Sequence, residues 1–165
     1  MMDDRITANF TLGEFVVSDT AARLGIDNMP PARVEATLRN VLIPAMQRVR
    51  ELLGVPVIVK SGYRSPALNS AVRGAPSSQH VTGHACDFIA PAFGSPRAVC
   101  LRLVDRLAEF HVDQLIAEGG WAHISFSARP RYEVLTAHFT AAGVSYTRGL
   151  GWPAVAPGSR TLTRS

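Results

Sequence analysis

Residues 61–87 hold the side chains with the most evident chemistry in the sequence: two arginines, two histidines and an aspartate among turn-forming residues. Arg64 lies in the segment Ser-Gly-Tyr-Arg-Ser-Pro, and Asp87 ends the segment Ser-Gln-His-Val-Thr-Gly-His-Ala-Cys-Asp (78–87), directly before an apolar run. A carboxylate in an apolar setting is costly unless it is paired. A metal ion is one such partner for Asp87.

Two histidines extend this cluster into a set of three candidate metal ligands. His80 lies seven residues before Asp87, and His123 lies far downstream in the segment Trp-Ala-His-Ile-Ser-Phe. Zinc accepts imidazole nitrogens and carboxylate oxygens, and a catalytic zinc keeps a further position open for water. The three residue types therefore fit a catalytic site with Zn²⁺ as the expected cofactor.

The spacing of these residues constrains the backbone that carries them. A gap of seven residues does not fit one helix face, but it fits a loop that turns through Gly83 into a strand. In an alternating strand, His123 and Ser125 face the same side, so we expect the ligands to come from neighbouring strands. Taken singly, each histidine also fits an ordinary polar role, which is the interpretation adopted for the other three: His84, His111 and His138.

The rest of the chain predicts the elements that must hold this set in place. Apolar residues at three- and four-residue steps indicate an amphipathic helix from Pro31 to Leu53, kinked or divided at Pro44. Shorter helices are predicted after the N-caps Thr11, Ser18 and Ser65, and a longer one from Ser95 to about Phe110. The predicted strands are 55–60, 87–90, 112–117 and 121–126, with a hairpin or bulge at Gly119–Gly120 between the last two.

The C-terminal segments have weaker patterns. Residues 131–142 are ambiguous, with helix as the favoured assignment, and residues 150–165 indicate an irregular tail. An order of helices followed by strands predicts an α+β fold, in which helices pack on a small, mainly antiparallel sheet. A length of 165 residues favours a single domain over residues 1–165.

Composition and charge limit the function classes. The net charge is +4, but the arginines are scattered, so we expect a general attraction to polyanions such as an anionic cell wall and no nucleic-acid binding. Two cysteines, Cys86 and Cys100, are too few for a disulfide framework. We expect both to be reduced and buried, while a disulfide between them stays open.

The N-terminal residues Met-Met-Asp-Asp-Arg are acidic and lack the apolar stretch of a secretory signal. No apolar run approaches the length of a transmembrane helix. We therefore expect cytoplasmic synthesis without a signal peptide, no membrane partner and a monomeric protein.

Three segments together resemble the zinc peptidases of the M15 family, which include D-alanyl-D-alanine carboxypeptidases and phage endolysins and share their fold with hedgehog signalling domains. The family pattern Ser-x-His-x-x-Gly-x-Ala-x-Asp is matched at every fixed position, by Ser78, His80, Gly83, Ala85 and Asp87. Ser-Gly-Tyr-Arg-Ser precedes it and Trp-Ala-His follows it. The segments Phe-Thr-Leu-x-Glu-Phe and Ser-Asp-Thr-Ala-Ala near the N-terminus resemble phage and prophage members, and the resemblance covers about residues 9–136.

The resemblance implies a role for each site residue. His80, Asp87 and His123 would bind Zn²⁺. Arg64 would contact the substrate and support the developing oxyanion, since a guanidinium is always charged and can hold a carboxylate through two hydrogen bonds. The remaining substrate-binding candidates, Ser78 and Gln79, would hydrogen-bond the peptide backbone.

The general base is the place where this sequence departs from the family. The base is usually a Glu or Asp three residues before the last histidine, a position that Gly120 occupies here. The nearest carboxylate is Glu118, which we assign as the catalytic base, with a bulge at Gly119–Gly120 aiming it at the metal. Asp113 is the second candidate.

These roles predict a zinc-dependent peptidase that hydrolyses the stem peptides of peptidoglycan, as a D,D-carboxypeptidase or an endopeptidase. The missing signal peptide fits a phage or prophage lysin that reaches the wall or periplasm after release by a holin. Two alternatives remain: a non-catalytic, zinc-stabilised wall-binding module, and a virion-associated peptidase that assists entry.

Overall fold

Helices precede most of the sheet along the chain. The structure is a computed structural model that describes residues 4–151. Its helical segments are α1 (Gly13–Val16), α2 (Asp19–Leu24), α3 (Ala32–Thr37), a π-helical turn (Leu38–Leu42), α4 (Ile43–Leu53), α5 (Pro66–Ala71), α6 (Pro96–Leu103), a 3-10 turn (Val104–Arg106) and α7 (Leu107–Phe110). None of these helices has the length and apolar character needed to cross a membrane.

Side-chain caps explain where several helices begin. Three predicted N-caps are confirmed, because each serine hydroxyl accepts a backbone N–H three residues on: Ser18, Ser65 and Ser95. Thr11 is the exception, since α1 begins after Leu12 and has no side-chain cap. The Thr11 N–H and hydroxyl instead donate to the Glu14 carboxylate at 2.9 and 3.1 Å, so half of a capping box forms.

The predicted helix from Pro31 to Leu53 forms, but a π-helical turn divides it. In this turn the N–H of Ile43 bonds to the carbonyl of Leu38, five residues earlier. Because Pro44 has no N–H to donate, the α-helical ladder is broken there in any case, and the wider turn lies directly before it. The buried face continues through the interruption as Leu38, Leu42, Ile43, Met46 and Val49.

A six-stranded sheet forms the second layer of the described residues. Its strands are β1 (Ile58–Ser61), β2 (Ala85–Ile89), β3 (Val112–Glu118), β4 (Trp121–Phe126), β5 (Glu133–Thr140) and β6 (Gly143–Arg148), in the order β1-β2-β4-β3-β5-β6. Neighbours are antiparallel except β3 and β5, which run parallel. The predicted α+β class with a mainly antiparallel sheet is confirmed. The apolar face shares a core with the helices through Cys86, Phe88, Leu115, Ile124 and Phe126.

The assignment of residues 131–142 to a helix is wrong. β5 and β6 form a hairpin instead, and β5 pairs with β3. This pairing satisfies backbone groups on the edge of β3 that a helix in the same place would leave open. The sheet therefore continues to Arg148, beyond the region that the family resemblance covers.

Three smaller expectations have clear outcomes. The turn at Gly119–Gly120 is a two-residue hairpin that pairs Glu118 with Trp121, so no bulge forms there. Cys86 and Cys100 are both free and buried, as expected. The predicted tail 150–165 falls mostly on residues 152–165, which lie outside the described residues.

Candidate metal centre and its cleft

The three predicted metal ligands converge on one buried point. Asp87 in β2 lies directly opposite His123 in β4, and His80 belongs to the loop that leads into β2. Asp87 Oδ1 is 2.8 Å from His123 Nδ1 and 3.2 Å from His80 Nε2. One ligand atom from each residue lies within 4.8 Å of the others. Two imidazole nitrogens and one carboxylate oxygen are the donor set of a catalytic zinc site, so the residues fit that metal.

The loop before β2 depends on Gly83 to place His80. Gly83 has φ of 74°, a left-handed conformation that L side chains rarely adopt. A Cβ atom at this position would lie 3.0 Å from Val34 Cγ1, on α3. The turn is closed by the Gly83 N–H, which donates to the His80 carbonyl at 3.3 Å. A glycine here therefore lets the loop pass close to α3 while it carries His80 into the site.

The surroundings of His80 fix which ring nitrogen faces the site. His80 Nδ1 lies 2.6 Å from the carbonyl oxygen of Gly62, and a carbonyl can only accept, so Nδ1 carries the proton. Nε2 then carries no proton and points towards Asp87. Its lone pair is available to a metal ion, as metal-binding histidines require. Burial lowers the pKa of His80 below its ordinary value, against the opposing effect of Asp87, and this favours the neutral ring.

Asp87 has polar partners on both sides of its carboxylate. Burial alone would raise its pKa, but His80 and His123 outweigh burial, and the pKa of this carboxyl lies below its usual range. Its second oxygen, Oδ2, accepts from Arg64 Nη2. The carboxylate therefore remains ionised, with Oδ1 directed to the histidines and Oδ2 to the guanidinium.

Arg64 contacts other residues of the site and does not face only the space where a substrate would bind. Its Nη2 donates to Asp87, and its Nε donates to Ser61 Oγ at 2.9 Å. Its backbone N–H donates to the His80 carbonyl at 3.2 Å. The side chain also lines the cleft beside the three predicted metal ligands. Sequence reasoning predicts the cleft position of Arg64 but not its contact with a metal ligand.

The two candidate bases have different environments. Glu118 ends β3 and lines the same cleft as His123. Burial, and then the negative charge of Asp87, raise the pKa of Glu118 above its ordinary value. Asp113 is instead paired with Arg131, whose Nη2 donates at 2.7 Å and whose backbone N–H donates at 2.9 Å. These hydrogen bonds lower the pKa of Asp113. Within residues 4–151 Glu118 has no ion pair, and the charges of Asp87 and His123 act on its pKa, so it is the better placed of the two candidate bases.

A cleft of about 970 Å³ surrounds the centre. Ser78 and Gln79, predicted to bind substrate, line it at the loop before β2. Further lining residues were not predicted from the sequence, among them Arg73, Arg131, Glu133, Leu135 and Tyr146. The last four lie on β5, β6 or the segment before them, whose strands were not predicted. The three histidines set aside as ordinary, His84, His111 and His138, lie outside the metal set.

A second depression, of about 720 Å³, lies between α1, α2 and β1. Its lining includes the charged residues Glu14, Asp19 and Lys60, and none of the three metal-ligand candidates reaches it. The site chemistry therefore lies in the larger cleft on the polar face of the sheet.

Comparison with known protein families agrees with this geometry. The family model described as Peptidase M15 matches residues 8–124, more than two thirds of the chain. The matched region contains all the predicted site residues and ends before β5 and β6. No curated protein matches the sequence significantly. On the strength of the family match, this chain belongs to the Peptidase M15 family and is a peptidase of that family.

Proposed function

We propose that this chain hydrolyses peptide bonds in the stem peptides of peptidoglycan and depends on Zn²⁺ to do so. The observation that carries the proposal is the convergence of His80, Asp87 and His123 within 4.8 Å of one another at the floor of an open cleft. Membership of the Peptidase M15 family supports the reaction class. The peptidoglycan substrate is inferred from the resemblance to cell-wall members of that family.

The protein would hold the metal through His80 Nε2, Asp87 Oδ1 and His123 Nδ1. Bound there, zinc supplies a Lewis acid for the scissile carbonyl and lowers the pKa of a bound water. Arg64 orients Asp87 through Oδ2. The Gly62 carbonyl keeps the Nδ1 proton on His80, so that Nε2 is free to bind.

Glu118 would act as the general base. Its carboxylate takes a proton from the attacking water and passes it to the leaving amine. Only the ionised form accepts a proton, so activity requires a pH above the pKa that this group has in the zinc-loaded enzyme. Ser78 and Gln79, on the loop that forms one wall, would hydrogen-bond the peptide backbone.

The biological setting is part of the same proposal. A monomer made in the cytoplasm and released to the wall by a holin would act as a phage or prophage lysin. The basic net charge of +4 would assist its attraction to an anionic wall. Whether hydrolysis removes a terminal residue or cuts within the stem peptide is decided by the products.

Digestion of purified peptidoglycan by the zinc-loaded chain, followed by mass spectrometry of the new termini, tests the function. New amino termini within stem peptides would indicate an endopeptidase, and released D-alanine a carboxypeptidase. Chelation should abolish the reaction, and added zinc should restore it. Activity that survives complete metal removal would contradict the zinc mechanism. Zinc binding without any cleavage would favour a non-catalytic wall-binding module.

A further inference from the structure

The arginines that line the cleft differ in whether a carboxylate already engages them. Arg64 is paired with Asp87, and Arg131 is paired with Asp113 through its Nη2 at 2.7 Å. Arg73 lines the same cleft, and within residues 4–151 it has no ion pair or side-chain hydrogen bond. Because a guanidinium is always charged, the cleft presents one cation whose partner is not supplied by the described part of the protein.

The loop that carries Arg73 is fixed in place. The side chain of Asn69, which is 4% exposed, donates from Nδ2 to the Ala75 carbonyl at 2.9 Å. The Gly74 N–H donates to the Asn69 carbonyl at 2.8 Å. A Cβ atom on Gly74 would lie 2.1 Å from Asn69 Oδ1, so the loop packs tightly on α5. The Arg73 side chain therefore projects from a backbone segment that these hydrogen bonds and this close packing hold in place.

The backbone at Arg73 is itself unusual. Its φ is 58°, in the left-handed region, where residues other than glycine are uncommon because of steric conflict at Cβ. Glycine would adopt this conformation without the conflict. A charged side chain thus stands at a strained position on the wall of the cleft, and within residues 4–151 no ion pair or side-chain hydrogen bond offsets the strain.

We propose that Arg73 recognises a carboxylate of the substrate. Resting on the proposed function, this assigns Arg73 as a specificity-determining residue for the peptide. Two carboxylates of a stem peptide have the required chemistry: the C-terminal carboxylate, and the free α-carboxylate of a γ-linked glutamate within the peptide. A guanidinium can hold either one through two parallel hydrogen bonds. Arg64, already engaged by Asp87, is less available for this role.

Equilibrium binding to the metal-free full chain tests the assignment without turnover. The probe is L-Ala-γ-D-Glu-L-Lys-D-Ala-D-Ala, compared with its C-terminal amide and with its isoglutamine analogue. Removing one of the two carboxylates should weaken binding to the wild type by about tenfold, the size expected for one charge-assisted contact. The analogue that loses affinity identifies which carboxylate Arg73 holds.

Arg73→Gln should weaken binding of the parent peptide by a similar factor and abolish the preference over that analogue. Arg73→Gly should do the same while raising the thermal unfolding temperature or leaving it unchanged, because glycine relieves the backbone conflict. The matched control is Arg102→Gln, which removes the same charge from an exposed position on α6 away from the cleft. It should leave both affinities unchanged.

The outcomes separate this inference from the peptidase proposal. If the zinc-loaded wild type cleaves no peptidoglycan peptide but Arg73→Gln still abolishes carboxylate preference, the peptidase proposal fails and the Arg73 assignment stands. If hydrolysis occurs but the wild type shows no carboxylate preference, or Arg73→Gln retains it, the Arg73 assignment is overturned.

Discussion

The two carboxylate oxygens of Asp87 contact different partners. Oδ1 faces His80 and His123, and Oδ2 accepts from Arg64, whose side chain is 17% exposed beside a 7% exposed carboxylate. The geometry of this predicted metal ligand therefore depends on a cation that is not itself in the predicted ligand set. At the scale of single residues, the strength of the metal site should be sensitive to changes at Arg64.

Arg64→Gln should destabilise the metal-free protein by about 3 kcal/mol, because loss of one partner leaves a buried charge uncompensated. Bound zinc would compensate the same carboxylate, so the loss should be smaller in the zinc-loaded protein. Thermal unfolding with and without excess Zn²⁺ measures both values, with Arg102→Gln as the charge-matched control. An equal loss in the two forms would show that Arg64 supports the fold independently of Asp87.

Glu118→Gln should reduce kcat by about 10²- to 10⁴-fold, the usual contribution of a general base. The substitution keeps the size of the side chain and removes no metal ligand, so zinc affinity should be unchanged. Steady-state kinetics and a zinc titration on the same preparation test both expectations. Turnover at the wild-type rate would mean that another group takes the proton.

The pH dependence of stability gives a second readout for Glu118. Its pKa in the folded protein is raised, so the folded state binds the proton more tightly than the unfolded state does. This group therefore lowers the free energy of unfolding as pH rises from its ordinary pKa through the raised one. In the metal-free protein, Glu118→Gln should be at least as stable as the wild type above that interval. The difference should disappear in acid, and a difference independent of pH would contradict the assigned cause.

Among the elements, the loop from His80 to Asp87 has the strictest requirement on its backbone. Gly83 combines a positive φ with close contact to Val34 on α3. Gly25 has a similar φ of 65° but has no atom within 4 Å of an added Cβ. The two glycines therefore separate the effect of backbone strain from the effect of crowding.

Gly83→Ala should destabilise the protein by about 2–4 kcal/mol, the sum of a left-handed alanine and an overpacked contact. Gly25→Ala should lose only about 1–2 kcal/mol, because it has the strained backbone without the contact. Zinc affinity should fall in Gly83→Ala alone, since that loop carries His80. Urea unfolding and a zinc titration of both variants provide the comparison. Equal losses would show that contact with α3 does not shape the loop.

Elements were predictable from sequence where the signal was local. The serine caps, the strand alternation at His123 and the glycine turn before Asp87 each depend on a few adjacent residues. β5 was missed because its pattern is ambiguous by itself, and its partner, β3, lies more than a dozen residues earlier. The Arg64–Asp87 pair spans 23 residues and depends on the pairing of β1 with β2. Such contacts follow from the tertiary arrangement, which local patterns do not encode.

At the scale of the whole molecule, the two faces of the sheet have different roles. One face is joined to the helices by the apolar core, and the other carries the predicted metal ligands, Glu118 and the cleft. The β5–β6 hairpin lies beyond residues 8–124, the region matched by the family, and extends the cleft with Leu135 and Tyr146. The candidate site residues therefore lie within the region matched by the family, whereas part of the cleft wall is formed by residues beyond that region.

The net charge of the molecule leads to a prediction about its binding to bacterial cell walls. A net charge of +4, spread over scattered arginines, attracts an anionic polymer through long-range forces. Salt screens such forces within about 8 Å at physiological ionic strength. We expect co-sedimentation of the metal-free chain with purified anionic cell walls to fall steeply as NaCl rises from about 0.05 to about 0.5 M.

Hydrolysis of a short amidated peptide by the zinc-loaded chain should change much less, because the Arg64–Asp87 pair beside the predicted metal ligands is shielded from solvent. Wall binding that is insensitive to salt would show that a specific contact, rather than net charge, holds the protein to the wall.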